Sequence, residues 1–249
     1  GNENIFASAV KYALLALVIS GGHTQILYMR GHNQFEIIGT TNDDAVGECF
    51  DKVAKILGLP YPGGPSVAKA ATDGDSKKYK LPHPKVAGLN FSFSGLKTAV
   101  LRAVQKEVGV PISYPSHKLK ELLTPQQVAN FAASFQKTAV DILIEKLKMA
   151  LELHPETKSI VVAGGVSANG ELRNEMFRIF PAGGNATKLE NLEVSNGAYS
   201  DIPVYFPSPS LSGDNGAMVA AACYYEIQSG AEPVDPYTLN IYPRISIEN

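Results

Sequence analysis

Paired cysteines are missing from this sequence. Its two cysteines, Cys49 and Cys223, stand far apart with no CxxC spacing, which excludes a disulfide scaffold and a zinc knot and points to a reducing compartment. Histidine is sparse as well: His23, His32, His83, His117 and His154 are scattered, and no HxxxH or HExxH metal motif occurs. Charge of one sign is lacking. The formal net charge is -2 and the pI about 6.2, so no global basic excess advertises nucleic acid, and only a local patch or a partner subunit could supply one. Long hydrophobic runs are also absent. The most apolar stretch, "ASAVKYALLALVIS", is shorter than a bilayer span, contains Lys11 and Tyr12, and ends in a glycine turn, so it reads as a core element. It lacks a basic n-region and a clean cleavage site, which argues against a signal peptide. No GxSxG elbow, GxxxxGK[ST] loop or GxGxxG after a strand is present, which removes the motifs of a nucleophile-elbow hydrolase, a P-loop ATPase and a Rossmann dehydrogenase. An initiator Met is missing too: the chain opens "GNENIF", from which an absent upstream part is expected.

What is present is the composition of a folded protein, 249 residues with 45% hydrophobic and 18% charged. Three strand-like runs open it, "YALLALVIS", "TQILYMR" and "FEIIGTT", and read as a meander. Asn42 or Asp43 is then placed to cap a helix. In that helix Val46, Phe50, Val53 and Leu57 share one face, and Asp44, Glu48, Asp51 and Lys55 share the other. "GLPYPGGPS" breaks it, and a loop-rich helical insertion is expected over about 65–123. Thr124-Pro125-Gln126-Gln127 reads as a helix start with a cap, a Pro in the first turn and a Gln three residues after the cap. The long helix that follows carries Val128, Phe131, Phe135, Ile142, Leu143 and Leu147 and is expected to end near His154-Pro155. "KSIVVAGGVSANGELRNEMFRIF" is strand, glycine turn and helix, with Ser167 or Asn169 as cap; residues 181–200 predict a mobile loop; "IPVYFPSP" is a strand and "GAMVAAACYYEIQ" a helix. Strands alternating with helices after a meander give an α/β class.

Three strands end in small residues at a turn: Ser20-Gly21-Gly22, Gly164-Gly165 and Ser212-Gly213-Asp214-Asn215. At the carboxyl ends of strands in open α/β sheets, glycine lets backbone N–H groups approach phosphate oxygens, so three such turns could surround one anionic ligand. Each alone is equally turn chemistry. Asp214 either caps the helix after it or binds a metal, and position alone favours the cap. His23 reads as orienting its loop, since no second His or Cys lies at ligand spacing. Asp51 and Glu48 lie on a polar helix face, and Asp51 counts for more only where that helix lines a pocket.

Taken together and in order, "VISGGHT", "DDAVGECFDKVAKILGLPYPGGPS", "NFSFSGLKTAV", "VVAGGVSAN" and "SGDNGAMVA" resemble the TsaD family, also called Gcp or YgjD, with relatives in the KEOPS complex and in mitochondria. The resemblance covers nearly the whole chain. It implies the actin-like and sugar-kinase superfamily, in which two ribonuclease-H-like lobes hold a nucleotide between them. Residues 1–249 would then be mostly the second, C-terminal lobe with a helical insertion. The implied reaction transfers the threonylcarbamoyl group from threonylcarbamoyl-AMP to N6 of the adenosine 3' of the anticodon in tRNAs reading ANN codons. Two alternatives stay open: a non-catalytic paralogous scaffold subunit of the same tRNA-modification complex, and an ATP-dependent kinase of the same superfamily.

Carried over by resemblance, Val18, Ile19, Ser20, Gly21 and Gly22 match the substrate loop, where backbone amides and the Ser20 hydroxyl would hold phosphate and acyl group. Asp51 matches the residue that contacts the ribose, Gly64 its neighbour in the pocket wall, and Asn169 the asparagine near the adenosine. Asp214 matches an aspartate ligand to one divalent metal, iron or zinc. The implied partners are tRNA, a TsaB-like paralogue and a TsaE-like ATPase in a bacterium, or a homodimer, with no membrane; the implied location is the cytoplasm, or the mitochondrion for an organellar homologue. No protein nucleophile is required, and no protease constellation supports the family's old endopeptidase label. The chain departs from the pattern twice. The family's HxxxH helix is absent, so the first lobe is expected to be missing, and the stretch from Gly183 to Ser200 is longer than the family's.

Overall fold

A computed structural model describes residues 10–183, 199–232 and 237. Five strands form one sheet: β1 Leu14–Ile19, β2 Thr24–Gly31, β3 Gln34–Thr40, β4 Ser159–Ala163 and β5 Val204–Tyr205. Their order is β3-β2-β1-β4-β5, with β2 antiparallel to both β1 and β3, and with β4 parallel to β1 and β5 parallel to β4. The expected meander is therefore present, and β1 is central. Its period of two explains the burial: Leu15, Leu17 and Ile19 enter the main core, whereas Leu14 and Ala16 enter a smaller cluster on the opposite face with Val18 packed against it.

The main face is covered by helices. The apolar stripe of α1 (Val46–Leu57) buries Val46, Phe50, Val53 and Leu57 as its periodicity requires, and Gly58 ends it in the left-handed conformation. The central helix α4 (Pro125–Leu153) starts at Thr124 with a complete capping box and stops at His154. Phe135 of α4 meets Phe50 of α1 edge-to-face at 4.8 Å between ring centroids.

Between them lie α2 (Gly63–Ala71), α3 (Ser94–Glu107) and a 3₁₀ turn over Ser116–Glu121. Leu89, Phe91, Phe93, Leu96, Val100, Val104 and Leu119 from this stretch are buried in the same core as β1 and α4. Lys146, itself buried, fixes the intervening loop by donating to the carbonyls of Val86 at 3.1 Å and Gly88 at 2.5 Å. The stretch "GLPYPGGPS", read as a breaker, does end α1, but its Gly63-Gly64-Pro65 already forms the first turn of α2.

After β4 a 3₁₀ turn over Gly165–Ala168 leads into α5 (Gly170–Ile179), capped by Asn169, whose Oδ1 accepts from the Leu172 N–H at 3.1 Å. The expected strand at "IPVYFPSP" shortens to two residues. The last helix, α6 (Gly216–Gln228), has no buried residue; its far end is tied to the β2–β3 turn, where the His32 ring stacks on Tyr225 with centroids 3.5 Å apart and Asn33 donates to the Ser229 hydroxyl at 3.1 Å. Most of the loop expected over 181–200, residues 184–198, lies outside the described residues.

Three helix starts differ from the local expectation. Neither Asn42 nor Asp43 caps α1: the buried Thr24 hydroxyl of β2 accepts from the Val46 N–H at 2.8 Å instead. Asp43 serves α3, where its carboxylate accepts from the Phe93 and Ser94 amides at 2.7 and 3.2 Å and from the Ser92 and Ser94 hydroxyls at 2.6 and 2.7 Å. Burial pushes the Asp43 carboxyl up, but these four hydrogen bonds outweigh it and hold it below the usual carboxylate range. Asp51 of α1 serves α2, accepting from the Gly63 N–H at 2.6 Å.

Candidate functional site

The parallel pairing of β1 with β4 sets Val18 beside Ala163, so the turns that follow the two strands leave the sheet side by side. They touch closely enough that glycine is required. A methyl group on Gly164, whose φ is +91°, would collide with the Ile19 carbonyl oxygen, with the carbonyl carbon at 2.8 Å. On the other side α1 approaches: the Gly47 N–H donates to the Ser20 carbonyl at 3.2 Å, and a Cβ on Gly47 would lie 2.6 Å from that oxygen. Glycine is a poor helix former, so Gly47 in the first turn of α1 is the sequence signal of this approach.

In front of these junctions opens a cavity of about 360 Å³. Gly21 from the first turn, Gly165 and Val166 from the second, and Asn169 and Gly170 at the start of α5 form one side. Phe50 and Asp51 of α1 and Pro62, Gly64, Pro65 and Ala68 at α2 form the other. Four residues singled out in the sequence, Gly21, Asp51, Gly64 and Asn169, are thus brought together across 148 positions of chain. The N-terminus of α5 opens on the space, and first-turn N–H groups without intrahelical acceptors favour an anion there, whereas the start of α2 already holds the Asp51 carboxylate on its Gly63 N–H. A Cβ at Gly21, Gly64, Gly165 or Gly170 would meet no protein atom within 4 Å. Each of these glycines faces open space.

The other expected residues sit differently. Ile19 is fully buried in the core, and Val18 points to the opposite face of the sheet, so neither side chain reaches the cavity. The Ser20 hydroxyl is turned onto its own loop, where it accepts from the Gly22 and His23 amides at 3.2 and 3.0 Å. Those two amides and that hydroxyl therefore shape the turn, and Gly21 is the member of the loop that lines the cavity. His23 orients the loop through its backbone, whose carbonyl accepts from the Ser20 N–H at 2.8 Å, and its side chain is exposed. Asn169 is engaged at both ends of its amide, since Nδ2 donates to Gln136 of α4 at 2.9 Å while Oδ1 caps α5.

Asp51 keeps one carboxylate oxygen on Gly63 and is the one titratable side chain among the lining residues. Nearby Cys49 is buried, and burial pushes its thiol up to about 12, so it is no nucleophile at neutral pH.

Asp214 lies outside the cavity lining, immediately before α6. The cap of α6 is its neighbour Asn215, whose Oδ1 accepts from the Met218 N–H at 3.0 Å, which corrects the capping expectation for Asp214. Among the described residues no group of three His, Cys, Asp or Glu side chains could hold a metal ion, so these residues alone do not make a metal centre. Among them, too, no helix is long and apolar enough to cross a membrane. Arg173 anchors the second turn to the segment that leads toward Asp214, donating to the Ser167 carbonyl at 2.7 Å and the Pro207 carbonyl at 2.8 Å with its guanidinium 4.7 Å over the Phe206 ring.

Residues 3–221 match the sequence model of TsaD, tRNA N6-adenosine threonylcarbamoyltransferase. A protein of that name from Caldicellulosiruptor bescii is 38% identical over 249 residues, 98% of this chain and 65% of its own length. Another from Symbiobacterium thermophilum is 42% identical over 221 residues, 88% of this chain and 56% of its own length. Among solved structures, the activator of the 2-hydroxyisocaproyl-CoA dehydratase from Clostridium difficile with bound ADPNP aligns over 91% of this chain and 66% of that one at 14% identity; its TM-score of 0.43 is too loose a likeness to bear on ligand or fold. The chain spans 65% or less of the length of these curated relatives. With the family model matched over residues 3–221, the chain belongs to the TsaD family of tRNA N6-adenosine threonylcarbamoyltransferases.

Proposed function

We propose that this chain is the adenylate-holding part of an enzyme that moves the threonylcarbamoyl group from threonylcarbamoyl-AMP to N6 of the adenosine 3' of the anticodon in tRNAs reading ANN codons. The observation that carries the reading is the convergence of Gly21, Gly165, the α5 start at Gly170 and Asp51 on one cavity in a member of this family. An acyl-adenylate presents a phosphate, a ribose and an acyl group. The phosphate suits the α5 start and the Gly21 and Gly165 backbone, where N–H groups and helix dipole favour negative charge. The ribose hydroxyls suit the Asp51 oxygen that Gly63 leaves open.

In the transfer, the adenine N6 forms a C–N bond to the carbamoyl carbon and the bond from that carbon to the phosphate oxygen breaks. AMP departs with the electron pair, and N6 gives up one proton. The transfer requires no protein nucleophile, so the contribution of this chain is orientation and the stabilisation of charge on the departing phosphate. A metal would polarise the carbonyl or orient the threonyl part. The family resemblance offers Asp214 to it, and no group of three His, Cys, Asp or Glu side chains among the described residues completes such a site.

The test is direct. The full-length protein is incubated with threonylcarbamoyl-AMP and an unmodified tRNA reading ANN codons, and the digested nucleosides are measured by mass spectrometry. Appearance of the modified adenosine is expected, and unmodified tRNA after a long incubation refutes the proposal.

A further inference from the structure

Asp51 lines a second depression on the other side of α1, one that the transfer reaction as described does not use. This groove has a volume of about 460 Å³. Its floor is the polar face of α1, one wall is the connection from Gly58 to Gly63, and the opposite wall is the 3₁₀ turn carrying His117 and Lys120. The turn is held tightly against the end of α1, since a Cβ on Gly58 would lie 2.6 Å from the Lys120 Cβ. The groove is a built feature of the fold.

Its charge is uneven. Three lysines line it, Lys52, Lys55 and Lys120, with His117 beside them, against two acids, Glu48 and Asp51. Lys52 is satisfied by Asp44 at 2.6 Å and Glu48 at 3.0 Å, and Asp51 is engaged with the Gly63 amide. Among the described residues no carboxylate lies within ion-pair distance of Lys55, His117 or Lys120. At the rim stands Tyr61, with 84% of its surface exposed. Cationic side chains along a groove with an exposed aromatic ring at its edge are the elements that hold single-stranded nucleic acid, through phosphates and through stacking of a base.

We infer that this groove binds the RNA substrate next to the target adenosine, with Lys55 and Lys120 on phosphates and Tyr61 stacked on a neighbouring unpaired base. The inference rests on the transferase reading, and it places the RNA strand one side chain, Asp51, away from the adenylate cavity. The chain as a whole is slightly acidic, so any RNA affinity of its own residues needs a local patch such as this one.

The experiment measures binding of a fluorescently labelled anticodon stem-loop RNA to the full-length protein by anisotropy at several salt concentrations, with AMP binding followed in parallel by calorimetry. Lys55→Glu combined with Lys120→Glu should weaken RNA binding by about tenfold or more, and the Gln pair should lower the salt slope by roughly 0.7 for each lost phosphate contact. Tyr61→Ala should weaken binding on the order of tenfold with the salt slope unchanged. AMP affinity should stay at the wild-type value in all of them. Should the wild-type protein bind AMP and modify the RNA while the charge-reversed and Gln pairs keep its affinity and slope, the groove is not the RNA surface and this inference is overturned alone. Should the wild-type protein neither bind nor modify the RNA, the transferase reading falls and this inference with it.

Discussion

Gly164 and Gly165 are adjacent and identical in type, yet opposite consequences are expected of an added methyl. At Gly164 the backbone has φ +91°, a region that costs a residue with a side chain about 1–3 kcal/mol. The new Cβ would also strike the Ile19 carbonyl at the end of β1, with the carbonyl carbon at 2.8 Å, and overpacking of this kind costs about 1–3 kcal/mol more. Gly164→Ala is therefore expected to lose roughly 2–6 kcal/mol. Each kcal/mol lowers Tm by about 2–4 °C in a domain of this size, so the loss is at least about 4 °C. At Gly165 the Cβ meets nothing within 4 Å and projects into space beside the cavity, so Gly165→Ala should leave stability within about 0.5 kcal/mol. It should weaken AMP binding by about tenfold, equivalent to about 1.4 kcal/mol, because the methyl occupies the approach of the phosphate. Thermal unfolding by circular dichroism and AMP titration by calorimetry read the two effects separately. The reasoning is refuted if Gly165→Ala loses as much Tm as Gly164→Ala, or if Gly164→Ala unfolds within a degree of wild type.

Other perturbations follow from the helix starts. Thr124→Ala removes half of the capping box of α4 and should cost about 1 kcal/mol in chemical denaturation, with Thr124→Ser restoring most of it. Asp43→Asn should be less stable than wild type at neutral pH. Because the folded carboxyl titrates below its unfolded value, the advantage of wild type is complete above the unfolded carboxylate range and shrinks as pH falls through the folded one; a gap that widens on acidification would contradict the assignment. Asp214→Ala should lower the metal content of the full-length protein with its stability unchanged in chelator, whereas Asn215→Ala should cost about 1 kcal/mol through the lost cap of α6. Equal metal content in Asp214→Ala and wild type, by elemental analysis, removes Asp214 from the metal reading.

Much of the architecture was legible because it is local. The period of two in β1, the stripe of Val46, Phe50, Val53 and Leu57, and the Thr124 and Asn169 caps are written within one or two turns of chain, where side-chain spacing and short-range hydrogen bonds decide the outcome. The five ordered motifs likewise carried the family. The site was legible in part. Gly21, Asp51, Gly64 and Asn169 do line one cavity, but Gly47 and Gly170 passed unremarked.

Long-range pairing decided the rest. Sequence placed Asp43 beside the helix it precedes, yet its carboxylate closes α3, about 50 residues on, and Thr24 and Asp51 close α1 and α2 in the same way. An orphan N–H accepts any partner that packing brings within reach, and spacing along the chain says nothing about which one arrives. Position also favours Asp214 as a cap, and the fold gives that role to Asn215. The sequence by itself determined the opening meander, α1, α4, β4, α5 and α6, and the family to which they belong. Only the parallel seating of β4 beside β1 made two glycine turns into one cavity, because contact between residues nearly 150 positions apart depends on sheet order.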